Sequence, residues 1–566
     1  MSAASGIYIK HLKFKDGHHI NFKDNTILLI TGPNNCGKSQ VLRDIRSLYS
    51  NKIVLEEVEI GFRGEVKGIV EEIITDQYDR PIMQYVNEIN SEWKGDFNAF
   101  FSFILNDRRV RGNPLNYFFQ YVSTSNRTED VKPGDGPSVR AFPFKFIHES
   151  KLLEKNLHDL IKSTFGTGIV SNRVSFSDRS LRFLSREDLR SDIDHTEPNF
   201  ARWLENQPAL EDQGDGICAF CTIILNVLSQ IKPLVVIDEP EAFLHPPQAR
   251  RLARAIALDA PPNTQIIIAT HSNDFVQGLL DYADRRVEVV RLVRKTIEGK
   301  TTNLVSRLNA DDVSNFWRDP LLKTSDALTS LFHDIAIIVE GDSDARFFRA
   351  MFDAVYKDSA EYLPDIRFFH CGGKDRIAKI AAALRSAGLP LVCIVDIDII
   401  DDQSKFLNLY EVFGGITANL RKLIDAIHQF VSTKRSPMSS SDAKRQIEAI
   451  FDSINPRNPI PQAKVLDIQD IVRNFSAWQY IKASGETFFT GGEPYNNFKY
   501  ICDEAQKVGI FINRAGELEN LCKTVTPRKS EWLSQVLQKD LAGDADLAGA
   551  RTFTKELIAA CKRIIG

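Results

Sequence analysis

The sequence lacks any apolar run of the roughly 18 to 20 residues that a membrane-spanning helix requires. Its N-terminal segment, MSAASGIYIKHLKFK, becomes charged before the apolar core of a signal peptide could form. Cysteine is scarce, with eight thiols spread over 566 residues, which excludes a disulfide scaffold and is typical of reduced thiols. These absences predict a cytoplasmic protein without a membrane partner.

Zinc ligands and a dominant charge are also missing. Cys218 and Cys221 form a close pair, but no second pair lies at zinc-ligand spacing, which favours two small apolar residues on one helix face. The net charge of −4 neither demands nor excludes a nucleic acid partner. Because the length exceeds what one core usually supports, we expect more than one folded domain.

A glycine-rich motif follows the apolar run TILLIT and precedes the helical pattern SQVLRDIRSLY. The segment GPNNCGKS, residues 32–39, matches the P-loop pattern GxxxxGK[ST] without a mismatch. The backbone of such a loop cradles phosphates, its lysine neutralises their charge and its serine ligates Mg²⁺. The motif predicts ATP and Mg²⁺ binding by Gly32, Asn34, Asn35, Cys36, Gly37, Lys38, Ser39 and Gln40.

Two later apolar runs, PLVVIDEPE and TQIIIATHS, flank the helical stretch QARRLARAIAL and indicate a β-α-β unit. The first run delivers Asp238, which suits the Mg²⁺ shell, and Glu239, which suits polarisation of the attacking water. His271 follows the second run, where an imidazole could contact the γ-phosphate. A lone histidine there is usually structural, so its assignment depends on the family resemblance given below.

A second group of acids follows three further apolar runs. Glu340 and Asp344 lie in VEGDSD, Lys374 follows two glycines, and Asp396 and Asp398 lie in IVDID. Parallel strands bring such residues to one sheet edge, where uncompensated carboxylates repel one another and have raised pKa values. Oxygen ligands favour Mg²⁺ or Mn²⁺ over Zn²⁺. The alternative is a set of solvated strand-end acids in an ordinary flavodoxin-like domain.

The pattern predicts an α/β protein with a main boundary near residues 321–333. We expect an N-terminal P-loop ATPase domain, residues 1–325, with an inserted helical or dimerisation region within about 52–208. Residues 326–566 form the second domain, a parallel sheet flanked by helices with helical additions at its C-terminal part.

The motifs GPNNCGKS, VVIDEPEAFLHP and ATHSNDF resemble the ABC-type ATPase heads of SMC, Rad50 and RecF proteins. Such heads complete their ATP site with a signature segment from a second protomer, for which residues 212–216, DQGDG, are the candidate. The resemblance therefore implies a homodimer. Sustained heptads are absent between Ser39 and Gly214, which argues against the long coiled-coil arms of SMC and Rad50 proteins.

The order VEGDSD, GGK and DID resembles a Toprim domain. An ABC ATPase followed by a Toprim domain is the layout of the OLD (overcoming lysogenisation defect) family of ATP-dependent endonucleases, which includes the Gabija nuclease and some retron effectors. This resemblance implies metal-dependent cleavage of DNA in antiviral defence. It also implies a system partner, such as a reverse transcriptase with a noncoding RNA, or a helicase.

The same resemblance implies a late acidic motif and a lysine. Glu519 in NRAGELENL matches the metal ligand best, with Glu517 second, and Lys529 would stabilise charge on the scissile phosphate. The implied metal ligands are Ser39, Asp238, Glu340, Asp344, Asp396, Asp398, Glu517 and Glu519. The implied catalytic residues are Glu239, His271, Glu340, Asp396, Asp398 and Lys529.

Two questions stay open at this point. The rival to a nuclease is an ATP-driven DNA-binding or scaffold protein of the SMC and RecF type whose Toprim domain does not cleave. The basic clusters are typical either of a surface that follows phosphates or of a solvated or dimer-supporting face; their members are Arg108, Arg109, Arg111, Arg173, Arg179, Arg182 and Arg186.

Overall fold

A computed structural model divides the chain into two compact units, residues 1–323 and 324–566. Each unit contains a parallel β-sheet with helices packed against it, so the predicted α/β class is confirmed. The structure describes residues 6–47, 52–63, 119–125, 127, 147, 150–171, 181–184, 198–229, 232–282, 286–297, 300–318, 327–434, 439–454, 459–473, 477–525 and 529–565. Most of the predicted inserted region, about 52–208, lies outside these residues.

The main sheet of the first unit has the order β11-β10-β3-β9-β8-β5 and is parallel except for the β10–β11 hairpin. Its strands are β3 (Ile27–Thr31), β5 (Phe119–Val122), β8 (Leu234–Asp238), β9 (Gln265–Ala269), β10 (Val287–Ile297) and β11 (Lys300–Leu308). Every residue of β3, β8 and β9 is buried, which explains their continuous apolar runs.

A small antiparallel sheet of order β2-β1-β4 adjoins this core. Its strands are β1 (Gly6–Phe14), β2 (His19–Asn21) and β4 (Leu55–Arg63). The buried Gln265 side chain makes the same pair of hydrogen bonds to Ile9 that a neighbouring strand would make. Its Oε1 accepts from Ile9 N at 2.7 Å, and its Nε2 donates to Ile9 O at 2.9 Å. One side chain thereby satisfies the backbone where the β1–β4 register shifts.

The first unit also contains a two-stranded antiparallel sheet, β6 (Gly168–Ser171) with β7 (Leu181–Leu184). Its described helices are α1 (Lys38–Arg46), α2 (Lys151–Phe165), α3 (Pro198–Glu205), α4 (Asp215–Leu228), α5 (Pro246–Asp259), α6 (Asn273–Leu280) and α7 (Ala310–Trp317).

The second unit has a four-stranded parallel sheet of order β13-β12-β14-β15. Its strands are β12 (Ile335–Val339), β13 (Ile366–His370), β14 (Leu391–Asp396) and β15 (Ile510–Asn513). Its helices are α8 (Asp342–Tyr356), α9 (Lys374–Ser386), α10 (Gln403–Val412), α11 (Ala418–Thr433), α12 (Ser440–Asp452), α13 (Gln462–Arg473), α14 (Ala477–Ser484), α15 (Gly492–Val508), α16 (Lys529–Val536) and α17 (Ala548–Ile565).

The chain between β14 and β15 is helical, and it separates two strands that pair directly. Asp396 at the end of β14 pairs with Asn513 at the end of β15. The predicted helical additions are therefore enclosed between two strands of the sheet. None of the helices in the described part of the chain has the length and apolar character that a membrane crossing requires.

Asp44 joins the P-loop helix α1 to the start of β4. This buried carboxylate accepts hydrogen bonds at Oδ2 from the backbone N–H groups of Ile53, Val54 and Leu55, at 3.0, 2.7 and 2.9 Å. Its other oxygen accepts from Gln40 Nε2 at 2.8 Å. One side chain therefore fixes the strand that follows the P-loop helix.

We expect Asp44→Ala to destabilise the first unit by about 2–4 kcal/mol, because it leaves several N–H groups without acceptors. Differential scanning calorimetry should show a thermal midpoint lower by about 5 °C or more. The control is Asp159→Ala, which removes an exposed helical aspartate. Equal midpoints for the two variants would contradict this role for Asp44.

Candidate functional site

The P-loop lies between β3 and α1 and has the strained backbone that phosphate cradling requires. Gly32, Asn35 and Gly37 have positive φ angles of 139°, 61° and 98°. A Cβ on Gly32 would lie 2.2 Å from the carbonyl oxygen of Leu292, so only glycine fits there. Lys38 is buried, and its ammonium donates to Gly32 O and Pro33 O at 2.8 and 2.9 Å.

The remaining predicted loop residues differ in their surroundings. Asn34 and Asn35 are exposed, whereas Cys36 is buried and burial raises the pKa of its thiol. Asn303 of β11 donates to the Cys36 carbonyl and so braces the loop from the hairpin. Gln40 directs its amide to Asp44. Sequence reasoning missed Asn303, which has no motif of its own.

Ser39 and Asp238 meet as the two motifs predict. Ser39 Oγ donates to Asp238 Oδ1 at 2.9 Å, although 199 residues separate them. Burial raises the pKa of Asp238, and the hydrogen bond from Ser39 opposes that effect. The Ser39 hydroxyl and the Asp238 carboxylate therefore lie side by side at the end of β8, where both oxygens are suitable ligands for Mg²⁺ beside a bound triphosphate.

Arg127 is a second residue that sequence reasoning missed. It is fully buried, donates through Nη1 to Glu239 O at 2.7 Å and also donates to Asp238 O. Burial lowers the pKa of Arg127, whereas Glu241, Asp238 and Glu239 raise it. Glu239 adopts a left-handed conformation, with φ of 49°, and this arginine holds that strained turn in place.

His271 lies beside the acidic turn after β8. Its Nδ1 is 3.6 Å from Glu239 Oε1 and 3.3 Å from Glu241 Oε1. The side chains of His271 and Glu239 are 50% and 38% exposed, whereas that of Glu241 is 9% exposed. The first unit therefore brings together all the predicted nucleotide-site residues after β8 and β9, and adds Glu241.

The candidate signature segment, residues 212–216, leads into the N-terminus of α4. Gly214 precedes α4, and a Cβ there would meet no heavy atom within 4 Å. A Cβ on Gly216, in contrast, would lie 2.6 Å from Phe243 O of the same chain. Gly216 is therefore required for packing within the unit, while Gly214 leaves room beside the N-terminus of α4.

The second unit collects three acids at the carboxyl edge of its sheet. Carboxylate oxygens of Glu340, Asp396 and Asp398 lie within 4.8 Å of one another. Glu340 Oε1 accepts from Asp396 N at 3.0 Å, which joins the ends of the neighbouring strands β12 and β14. Asp398 Oδ1 is buried without a hydrogen-bond partner in the described part of the chain. Converging oxygens with an unsatisfied lone pair fit a hard divalent cation.

Burial and mutual repulsion alter the titration of this cluster. Burial, reinforced by Asp396, raises the pKa of Glu340 to about 7. Burial and the same neighbour raise the pKa of Asp344 to about 6. Asp344 also accepts from Gly341 N at 3.0 Å, and the charge of Glu519 contributes to its raised pKa. Asp344 and Glu519 thus border the three-acid group without belonging to it.

Two lysines contact the acids. Lys482 of α14 lies 3.0 Å from Asp396 Oδ2 and 3.4 Å from Asp398 Oδ2, and Lys374 lies 3.1 Å from Asp398 Oδ2. Burial alone would lower the pKa of Lys482, but Asp396 and Asp398 outweigh it and raise the pKa. Lys374 was visible in the GGK motif, whereas nothing in the sequence around Lys482 indicates its position.

A glycine contact positions Lys482. A Cβ on Gly516 would lie 2.0 Å from Lys482 O, so the loop after β15 meets α14 backbone to backbone. Asn520 Nδ2 also donates to Lys482 O at 3.0 Å. The loop that carries Glu517 and Glu519 therefore fixes the helix that carries this lysine.

Other predicted residues lie apart or outside the described structure. Glu517 precedes the 3₁₀ turn Leu518–Leu521 and is not part of the three-acid group. Lys529 begins α16, but its side chain lies outside the described residues. Arg182 donates to Gln207 O at 2.9 Å. The remaining arginines of the predicted basic clusters lie outside the described residues, unlike Arg182. DNA contact by these clusters therefore stays a prediction.

Comparison with protein families finds one matching segment in each of the two units. Residues 27–276 match the family described as "AAA domain, putative AbiEii toxin, Type IV TA system". Residues 331–398 match the Toprim domain described as overcoming lysogenization defect protein-like. These domains imply the use of a nucleotide and a divalent metal. The two matches include the P-loop and the three-acid group, respectively.

Solved structures similar to this chain include two SMC head domains. The head from Pyrococcus furiosus, bound to the C-terminal domain of ScpA, is 12% identical with a TM-score of 0.32, over 55% of this chain and 98% of that one. The head from Thermotoga maritima is 13% identical with a TM-score of 0.26, over 54% of this chain and 98% of that one. Scores of this size support no further conclusion.

Among curated proteins, the Old nuclease of Escherichia phage P2 is 22% identical over 296 residues. The match covers 50% of this chain and 42% of the phage protein, so the chain spans less than half the length of that relative. The AAA match, the OLD-like Toprim match and this relative together make the chain similar to ATPase–Toprim proteins of the OLD family.

Proposed function

We propose that the protein is an ATP-hydrolysing, metal-dependent DNA endonuclease in which a dimer of ATPase units regulates a Toprim active site. The observation that carries the proposal is the three-acid group, Glu340, Asp396 and Asp398, within the segment that matches the OLD-like Toprim domain. The similarity to a nuclease supports the reaction class. Antiviral defence in the cytoplasm, with a reverse transcriptase or helicase as system partner, is the biological context that the family suggests.

Mg²⁺ or Mn²⁺ is the proposed metal, because the converging donors are carboxylate oxygens. The three-acid group would hold one ion, and Asp344 with Glu519 would extend the site towards a second. When bound, such ions activate a water and stabilise the leaving oxygen of the scissile phosphate. Lys482 and Lys374 supply positive charge at the same edge and can neutralise the phosphate that approaches it.

The ATPase reaction follows from the first unit. Lys38 would neutralise the phosphate charge of a bound nucleotide, Ser39 and Asp238 would hold Mg²⁺, and Glu239 would polarise the attacking water. Arg127 maintains the backbone turn that presents Glu239. Gly214 stands at the open start of α4, where a second protomer would complete the site.

One observation favours a non-cleaving scaffold as the second candidate function. Lys482 and Lys374 both contact Asp398 Oδ2, at 3.4 and 3.1 Å, as they would in a Toprim domain that uses its acids for folding alone. Plasmid nicking with Mn²⁺ separates the two functions, because only a nuclease converts supercoiled plasmid to open circles.

We expect Asp396→Asn to reduce plasmid nicking by about 10³-fold or more while ATP hydrolysis stays unchanged, because a lost metal ligand affects both ion affinity and water position. Both activities are measured on the same preparation with Mg²⁺ and with Mn²⁺. The control is Asp375→Asn, an exposed acid paired with Lys405. Wild-type nicking by Asp396→Asn would refute the assignment of cleavage to the three-acid group.

Metal affinity should depend on pH through the raised pKa of Glu340, about 7, and of Asp344, about 6. The metal-free fold retains protons that the unfolded chain has released, so ionisation of these acids lowers its stability as the pH rises towards 7. Cation binding requires the ionised acids, so protons compete with the metal below that pH.

Calorimetric titration of the nucleotide-free protein should therefore show an Mn²⁺ Kd that falls about tenfold per pH unit between pH 5.5 and 7, if one proton leaves per ion. Glu340→Gln should flatten this slope, because the amide does not titrate in this range. A wild-type Kd that is constant across the range would exclude this cluster as the metal site.

The ATPase assignment predicts different defects for two variants. Glu239→Gln should bind ATP but lose turnover, and light scattering should show an accumulated ATP-bound dimer. Lys38→Ala should lose hydrolysis and show no ATP-dependent dimer, because the phosphate charge is no longer neutralised. Normal hydrolysis by Glu239→Gln would remove Glu239 as the catalytic carboxylate.

A further inference from the structure

Glu241 is a buried acid that the ATPase reaction described above does not use. It lies in the turn after β8, and its side chain is 9% exposed. Its Oε1 accepts from Thr270 Oγ1 at 2.8 Å and from His271 N at 2.9 Å. The same oxygen lies 3.3 Å from His271 Nδ1, an ion-pair distance, so this carboxylate contacts both the backbone and the ring of the segment after β9.

This arrangement is costly if Glu241 has only a packing role. Burial raises the pKa of Glu241, and the hydrogen bonds from the His271 backbone oppose that effect. Its second oxygen, Oε2, is buried without a hydrogen-bond partner in the described residues. A neutral side chain could satisfy Thr270 without bringing a charge into this position.

The imidazole of His271 lies against this buried oxygen, with Nδ1 as its nearer ring nitrogen. A carboxylate that accepts from Nδ1–H fixes both the tautomer and the plane of the ring. The opposite ring nitrogen, Nε2, then faces away from Glu241. Glu239 Oε1 is farther from Nδ1, at 3.6 Å, and the Glu239 side chain is more exposed. Glu239 therefore stays accessible to water while Glu241 holds the ring.

We propose that Glu241 is a positioning residue for ATP hydrolysis: it orients His271 through Nδ1, so that Nε2 is presented to the γ-phosphate and Glu239 is left to polarise water. This inference rests on the proposed ATPase function. The proposal gives the two glutamates of DEPE, residues 238–241, different roles: the buried Glu241 orients the histidine, and the more exposed Glu239 is catalytic.

The test is a double-mutant cycle on the ATPase kcat of the full-length protein. We expect Glu241→Ala to lower kcat by about 10- to 100-fold with little change in the binding of a non-hydrolysable ATP analogue, as for other carboxylates that orient a histidine. Adding Glu241→Ala to His271→Ala should lower kcat no further, because the two residues act as one unit. Glu241→Gln should retain kcat within about tenfold, since its amide oxygen can still accept from Nδ1–H.

Glu288→Ala is the matched control, because Glu288 is a buried acid of the same unit that pairs with Arg307 instead. It should lower the thermal midpoint without changing kcat per folded protein. A Glu241→Ala variant that behaves like this control, or losses that multiply in the double variant, would overturn the positioning role. Lys38→Ala distinguishes a failure of the positioning role from a failure of the proposed ATPase function. If this variant retains the wild-type rate, the measured hydrolysis does not belong to the P-loop site and the proposed ATPase function itself fails.

Discussion

Carboxylates gathered at the edge of a parallel sheet must be balanced by positive charge, and both candidate sites depend on this constraint. In the first unit, the buried Arg127 lies among the acids that follow β8 and binds the backbone of the same turn. In the second unit, Lys374 and Lys482 contact the acids that follow β14. The acids lie at the carboxyl ends of parallel strands and repel one another, and the positive charges that balance them lie on residues outside those strands.

The origin of these cations determines how each site can respond to its ligand. Arg127 contacts backbone oxygens and is fully buried, so it acts as a permanent part of the turn. Lys482 contacts carboxylate oxygens from a short helix and remains partly exposed. A metal ion that enters the second site would therefore compete with, or share, charge that the chain already supplies. A ligand that bound at the first site would leave these backbone contacts of Arg127 in place.

The sequence was sufficient to predict the parts of the fold that follow from continuous apolar runs. ILLIT, LVVID and QIIIA are buried parallel strands, and the acids in VEGDSD and IVDID meet because their strands are neighbours. It could not predict Arg127 or Lys482, because neither residue lies in a motif and both reach their sites through long-range packing. The positions of Glu241 and His271 illustrate a third case: both were visible, but only the fold showed which oxygen faces the ring.

The backbone contact between Gly516 and Lys482 has a consequence for how this fold can change. It fastens α14, one of the helices between β14 and β15, directly to the loop after β15. The ammonium group of Lys482 is therefore located by the contact of the last turn of α14 with this loop. A single methyl group at position 516 would force this backbone contact apart and so displace the charge, although position 516 lies on a different segment from the lysine.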